Sequence, residues 1–215
     1  MRHLVLVLLV PLLAGCGVRH APLDDGGGGP SITPTVRHEV RDAFFREPPR
    51  CAIVLPTLGE PPGPFTARAI EAALARQLTG RLPRVIGPKE RTDKARGLGV
   101  AVRTADGRAT LARRTDCHHV VVPRPADTST VHAGVWSRVR LGLDVSLWRV
   151  GADTPLWRAR HTATRSEGGL PTSPLSAVVS AASASVNAAD PAVHRSVLAD
   201  AARRIVRTLP DTRGL

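Results

Sequence analysis

"CAIVLP" (residues 51–56) and "CHHVVVP" (residues 117–123) constrain the fold more than any other part of this 215-residue chain. Each opens on a cysteine, closes on a proline and carries a run of adjacent apolar residues. Apolar residues at successive rather than alternate positions mark strands buried on both faces, as in a parallel sheet flanked by helices. The stretch between them supplies what such a sheet needs. Ile70, Leu74, Leu78 and Leu82 recur every four residues, with Arg68, Glu71 and Arg76 off the stripe and Gly80 and Pro83 at its end. That spacing predicts an amphipathic helix. "RVIGP" (84–88) reads as a second short strand, residues 89–104 are ambiguous, and Thr104–Arg114 fits a helix leading to Cys117. A strand–helix–strand–helix–strand order implies parallel pairing through right-handed crossovers.

After His118–Pro123, the third strand, the pattern changes. From Val135 to Val150, Val139, Leu141, Leu143, Val145 and Leu147 alternate with Arg138, Arg140, Asp144 and Ser146. Period-two alternation predicts a strand with one buried and one wet face. Gly151-Ala152-Asp153 makes a turn, and Leu156–Thr164 returns as the partner of a long antiparallel hairpin. Val178, Ala182 and Val186 mark a helical face, and Val193, Val197, Ala201, Ile205 and Leu209 mark another, preceded by Asp190 and Pro191 as N-cap and first helical residue. The expectation is an α/β domain over residues 48–210, with α+β character in its C-terminal half. It has a mixed sheet of about five strands, flanking helices and a short tail at 211–215.

The N-terminus reads differently. Met1-Arg2-His3 precedes an apolar run from Leu4 to Ala14. This is too short for the ~20 residues of a spanning helix and has the form of a secretory signal. Leu13-Ala14-Gly15-Cys16 resembles the lipobox of bacterial lipoproteins, which implies cleavage after residue 15 and a covalent lipid on Cys16. Gly17 follows the cysteine instead of the aspartate that retains such proteins at the inner membrane, so the resemblance implies the outer membrane. Acyl chains at ~0.8 kcal/mol per buried methylene hold a protein durably once two or more are present. Residues 16–47, with Gly26–Gly29, Pro30 and Pro34, have the composition of a flexible tether of ~30 Å average span and ~100 Å reach. Within it, Glu39–Phe45 is open to three readings: a short helix, a docking peptide, or two phenylalanines packing on the domain.

The net charge of +12 lies in the domain, where 24 basic residues face 12 acidic ones. An exported, lipid-anchored chain does not meet nucleic acid. The charge points to anionic envelope lipids or polymers, to an acidic protein face, or to no more than a basic soluble surface. Cys51 and Cys117 head strands that would lie side by side in an oxidising compartment. They are candidates for a disulfide, and the alternative is two buried thiols.

"CAIVLP", the helix after it, "DCHHVVVP" and "LGLDVSLWRVGADTPLWRARHTA" together resemble a recurrent envelope-lipoprotein domain. It is shared by penicillin-binding-protein activator lipoproteins, the curli secretion lipoprotein and the N-terminal domain of the Tol propeller protein. Leu147, Asp153, Thr154, Leu156 and Trp157 match the family's hairpin pattern, while Cys117 and His118 stand where small residues are usual. The resemblance implies a non-enzymatic periplasmic module that serves envelope assembly, transport or secretion by binding a protein partner. A self-assembling secretion channel is the alternative.

Motifs for chemistry are scarce. His118 and His119 point to opposite faces of a strand and cannot share a metal. A site drawing on His119, His161 or Cys117 would lack the H-x-x-x-H and C-x-x-C spacings. No nucleophile elbow or P-loop occurs, so neither catalytic residues nor a metal or other cofactor is expected, and a hydrolytic or metal-dependent enzyme is the remote alternative. Of the three tryptophans, Trp157 is expected in the core. Trp136, with Arg138 and Arg140 on its face by alternation, is the candidate partner-binding group. Trp136 and Trp148 are equally readable as core.

Overall fold

The computed structural model describes residues 35–61, 65–133, 136–167 and 191–215. Six strands form one mixed sheet: β1 (Arg37–Val40), β2 (Cys51–Val54), β3 (Arg84–Ile86), β4 (His119–Ala133), β5 (Trp136–Arg149) and β6 (Trp157–Glu167). Their order is β1-β6-β5-β4-β2-β3. Among the described residues the helices are α1 (Asp42–Arg46), α2 (Ala67–Leu78), α3 (Pro88–Gly97), α4 (Ala105–Thr115) and α5 (Pro191–Arg207). The sheet is open, with β1 and β3 at its edges, and the fold is α/β as expected.

The core follows the periodicities. β2 pairs parallel to both β3 and β4, and Cys51–Val54 is buried at every position. Ile70, Leu74, Leu78 and Leu82 are at most 1% exposed. Thr66 starts α2 by accepting a hydrogen bond from the Ala69 amide at 3.2 Å. Val139, Leu141, Leu143, Val145 and Leu147 of β5 are all buried beneath α2 and α5, with Val193, Val197, Ala201, Ile205 and Leu209. Trp157 joins them, and its indole donates to Thr208 Oγ1 at 3.1 Å.

The two crossovers run in opposite directions from β2: one outward to β3, the other back over β2 to β4. Because each is right-handed, their helices must lie on opposite faces. α2 therefore covers the main core, while Leu111 of α4 packs with Ile53, Leu55, Ile86 and Val120 in a smaller core on the other face.

The folded body begins earlier than residue 48. β1 pairs antiparallel with β6, and α1 buries Phe44 while leaving Phe45 61% exposed. β1 is the sixth strand, and its polar sequence, RHEV, shows no apolar pattern. It is a strand because the β6 edge offers unpaired backbone groups. Residues 211–215 are also tied down: Thr212 is fully buried and its hydroxyl donates to the Pro49 carbonyl at 2.7 Å. Residues 88–97 resolve into α3, whose buried residues are Arg91 and Ala95. The helix anticipated around Val178, Ala182 and Val186 lies outside the described residues, as do Asp190 and Cys16.

β4 runs ten residues beyond Pro123, where a strand end was expected. Pro123 and Pro125 oppose Val145 and Leu143 of β5. The Leu55 and Leu58 amides donate to the carbonyls of Val121 and Pro123, both at 2.9 Å. The backbone polar groups of 121, 123 and 125 therefore face the β2 side, past the end of β2. Proline is tolerated there because no ladder bond is lost.

Candidate binding site

Among the described residues, one face of the sheet is only partly roofed. α3 and α4 cover β2, β3 and the start of β4. Farther along the sheet this face carries the even-numbered residues of β5 and β6; of the described ones Arg138, Arg140, Arg158 and Thr164 are exposed, Ser146, Trp148, Arg160 and Thr162 are partly so, and Gly142 and Asp144 are buried. Arg124 of β4 is exposed there as well. Asp144, one of the few carboxylates of this face, takes both arms of Arg158, at 3.1 and 2.5 Å, and holds that guanidinium protonated beyond its usual range. Asp127 bonds Arg160 at 2.6 Å, and Glu39 bonds Arg41 at 3.2 Å. Among the described residues no carboxylate bonds Arg124 or Arg140.

A local irregularity makes the Asp127–Arg160 contact possible. The register between β4 and β5 slips between Ala126 and Ser129, and Asp127 adopts a left-handed backbone (φ 46°). This bulge turns Asp127 over β5 toward β6. Gly142 sits opposite Ala126, and a Cβ there would stand 1.7 Å from the Ala126 carbonyl oxygen.

Where roof meets open face there is a cavity of about 350 Å³. Leu55 and Leu58 reach it from the end of β2, Val120 and Val122 from β4, and Trp148 and Val150 from the end of β5. Arg108 of α4, Arg124 of β4 and Arg149 of β5 stand at it, and the Gly151-Ala152 turn closes one side. Trp148 is half-buried, its indole nitrogen donating to Ser146 Oγ at 2.7 Å. Arg149 is engaged by Glu47, and Arg108 donates to the Arg103 carbonyl at 2.9 Å. Leu55 and Leu58, just past the carboxyl end of β2, form one end of it, and Val120 with Trp148 lies level with Ile53 in the middle of β2, so the cavity lies against the face of the sheet.

Among the described residues the lining of the cavity holds no histidine, cysteine or carboxylate, and Ser146 is its one hydroxyl. The sequence did not expose it, because it draws on four separate segments. The sole hint was Trp148, even-numbered on a strand whose odd positions form the core.

The other anticipated residues are dispersed. Cys51 and Cys117 form a disulfide, with Cα atoms 5.3 Å apart, at the common edge where β2 and β4 begin. Cys117 is thereby removed from any metal site. His119 and His161 are buried in separate places, and burial lowers the pKa of each. Among the described residues no three His, Cys, Asp or Glu side chains gather as metal ligands. Trp136 pairs with Ala133 at the start of β5, and its side chain is outside the described part. Arg138 and Arg140 lie at the end of β5 remote from the cavity, with Val131, 44% exposed, opposite Arg138. No described helix is long and apolar enough to cross a membrane.

No family model and no curated protein matches the chain. Solved structures do. The PelC dodecamer from Paraburkholderia phytofirmans is 16% identical over 80% of this chain and 98% of that one, with a TM-score of 0.44. Lipoprotein GNA1162 from Neisseria meningitidis is 19% identical over 64% and 98%, with a TM-score of 0.45. The LpoB C-terminal domain from Salmonella enterica is 13% identical over 53% and 81%, with a TM-score of 0.40. These are likenesses of fold, one of them to a protein named as a lipoprotein, and at these scores none of them assigns a role to a residue here.

Proposed function

We propose that this chain is a lipid-anchored accessory module of the bacterial envelope. Acyl chains on Cys16 hold it to the outer membrane, the segment after Cys16 gives reach, and the α/β body works in the periplasm by binding a protein partner. The observation that carries the binding role is the sheet face that the described helices leave half-roofed: a largely apolar cavity, with no histidine, cysteine or carboxylate among its described lining residues, opens onto an arginine-bearing surface. The Leu13-Ala14-Gly15-Cys16 sequence supports the anchor. The secretion-channel alternative asks for strands with an apolar outer face, and β5 carries exposed Arg138 and Arg140 there.

The anchor is tested by radiolabelled palmitate and membrane fractionation of the wild type and Cys16→Ala. Loss of label and release from the membrane in the variant support it, and an unlabelled wild type refutes it. The docking surface is tested by charge reversal at Arg138 and Arg140. If every co-purified protein stays in place, that end of β5 is not the contact.

A further inference from the structure

We infer that the cavity between the end of β2, β4 and the end of β5 is the anchor socket for an extended acidic segment of a partner protein. One large apolar side chain of that segment enters beside Trp148, and its carboxylates pair with Arg108 and Arg124. The inference rests on the binding-module reading and adds the chemistry of the partner.

Three observations converge on it. The apolar groups are recessed: Val120, Val122 and Trp148 form a concave floor. A concavity receives a protruding side chain, whereas a bilayer surface is met by apolar groups that protrude. Aromatic or branched anchors seated in such pockets carry most of the energy of protein docking. The charge at the mouth is one-sided. The carboxylates of this face are already bonded to arginines, while among the described residues Arg108 and Arg124 have no carboxylate partner. Guanidinium groups bind carboxylates through paired N–H donors, so this rim selects acidic side chains. The site is also elongated. Trp148, Ser146 and Asp144 succeed one another on one face of β5, and four residues at ~3.3 Å each make a track of roughly 13 Å, which ends where the Asp127–Arg160 pair crosses β5.

The test uses the purified, acylated full-length protein in detergent. The probe is a fluorescein-labelled, N-acetylated decapeptide with phenylalanine at position 2 and aspartate at alternate positions after it, followed by fluorescence anisotropy. The expected result is saturable binding that weakens at least tenfold when the peptide's phenylalanine becomes serine, and at least tenfold in Arg124→Glu. Ala152→Trp, which fills the cavity from its exposed rim, should abolish it. Unchanged melting temperatures in both variants tie these losses to the site. Absence of binding overturns the inference, as does equal binding of the phenylalanine and serine peptides, which would show surface charge alone. Displacement by dihexanoyl-phosphatidylglycerol at lower concentration than by unlabelled peptide overturns it in favour of an anionic lipid. Acylation of Cys16 is measured separately, so a failed socket leaves the anchor standing, and a missing acyl group leaves the socket intact.

Discussion

Glu71 of α2 and Arg91 of α3 meet at 2.9 Å with both side chains less than a tenth exposed. The pair is fully engaged: Arg91 also donates to the Val54 carbonyl at 2.6 Å, and Glu71 accepts from the Thr57 amide and hydroxyl at 2.9 and 3.2 Å. It binds two helices on opposite faces to the end of β2, one residue before the Leu55 that reaches the cavity.

Removing one member of this pair leaves a buried charge without a partner. Arg91→Met should therefore cost about 3–5 kcal/mol in urea unfolding. The double variant Glu71→Leu/Arg91→Met should cost clearly less than the sum of the two single changes. Additive losses would show that the two residues act independently.

Gly142→Ala places a methyl group 1.7 Å from the Ala126 carbonyl oxygen. Since this neighbour is backbone, the bulge must move, at a cost of about 1–3 kcal/mol. Gly97, in the last turn of α3 with nothing within 4 Å of a built Cβ, is the control. Gly97→Ala should stabilise by about 0.5–1 kcal/mol through helix propensity. Equal effects at the two sites would contradict the packing seen at the bulge.

The Cys51–Cys117 bond links residues 66 apart in sequence. Closing a loop of that length restricts the unfolded chain by about 4 kcal/mol. Cys51→Ser/Cys117→Ser should lose stability of that order, and dithiothreitol should lower the wild-type midpoint while leaving the double variant unmoved. A wild-type midpoint that ignores reductant would argue against the bond.

Stability should fall as pH drops below about 6.5, the ordinary histidine value. Burial is the first cause that lowers the pKa of His161, helped by Arg204 and opposed by Asp200. Burial likewise lowers that of His119, helped by Arg149 and His118 and opposed by Glu47. The unfolded chain therefore takes up protons before the folded one, so the contribution is complete above 6.5 and is lost as pH falls through the lowered folded values. Urea midpoints measured from pH 8 to pH 5 should be flat and then decline. His161→Leu should flatten the decline, and a midpoint that rises on acidification would reverse the assignment.

Legibility in the sequence tracked periodicity. α2, β5 and α5 were readable because their apolar residues repeat at the period of the element, and β2 because its apolar residues are contiguous. α3 was not, since the residues it buries are Arg91 and Ala95 and its orientation depends on Glu71, twenty residues away. The second half of β4 was hidden by Pro123 and Pro125, which are harmless only because β2 ends beside them. β1 was hidden because an edge strand owes its conformation to the neighbour it pairs with.

The sequence by itself determined the strand and helix periods, the parallel-then-antiparallel order, the odd-numbered buried face of β5 and the edge shared by Cys51 and Cys117. These are local patterns, or follow directly from the handedness of connections. Only the tertiary structure decided which sheet face the described helices leave open, that a bulge at Asp127 reaches across Gly142 to Arg160, and that Leu55, Val122, Trp148 and Arg108 surround one cavity. Such juxtapositions depend on where each crossover ends and how far each strand outruns its neighbour, and no short-range pattern of residues encodes that.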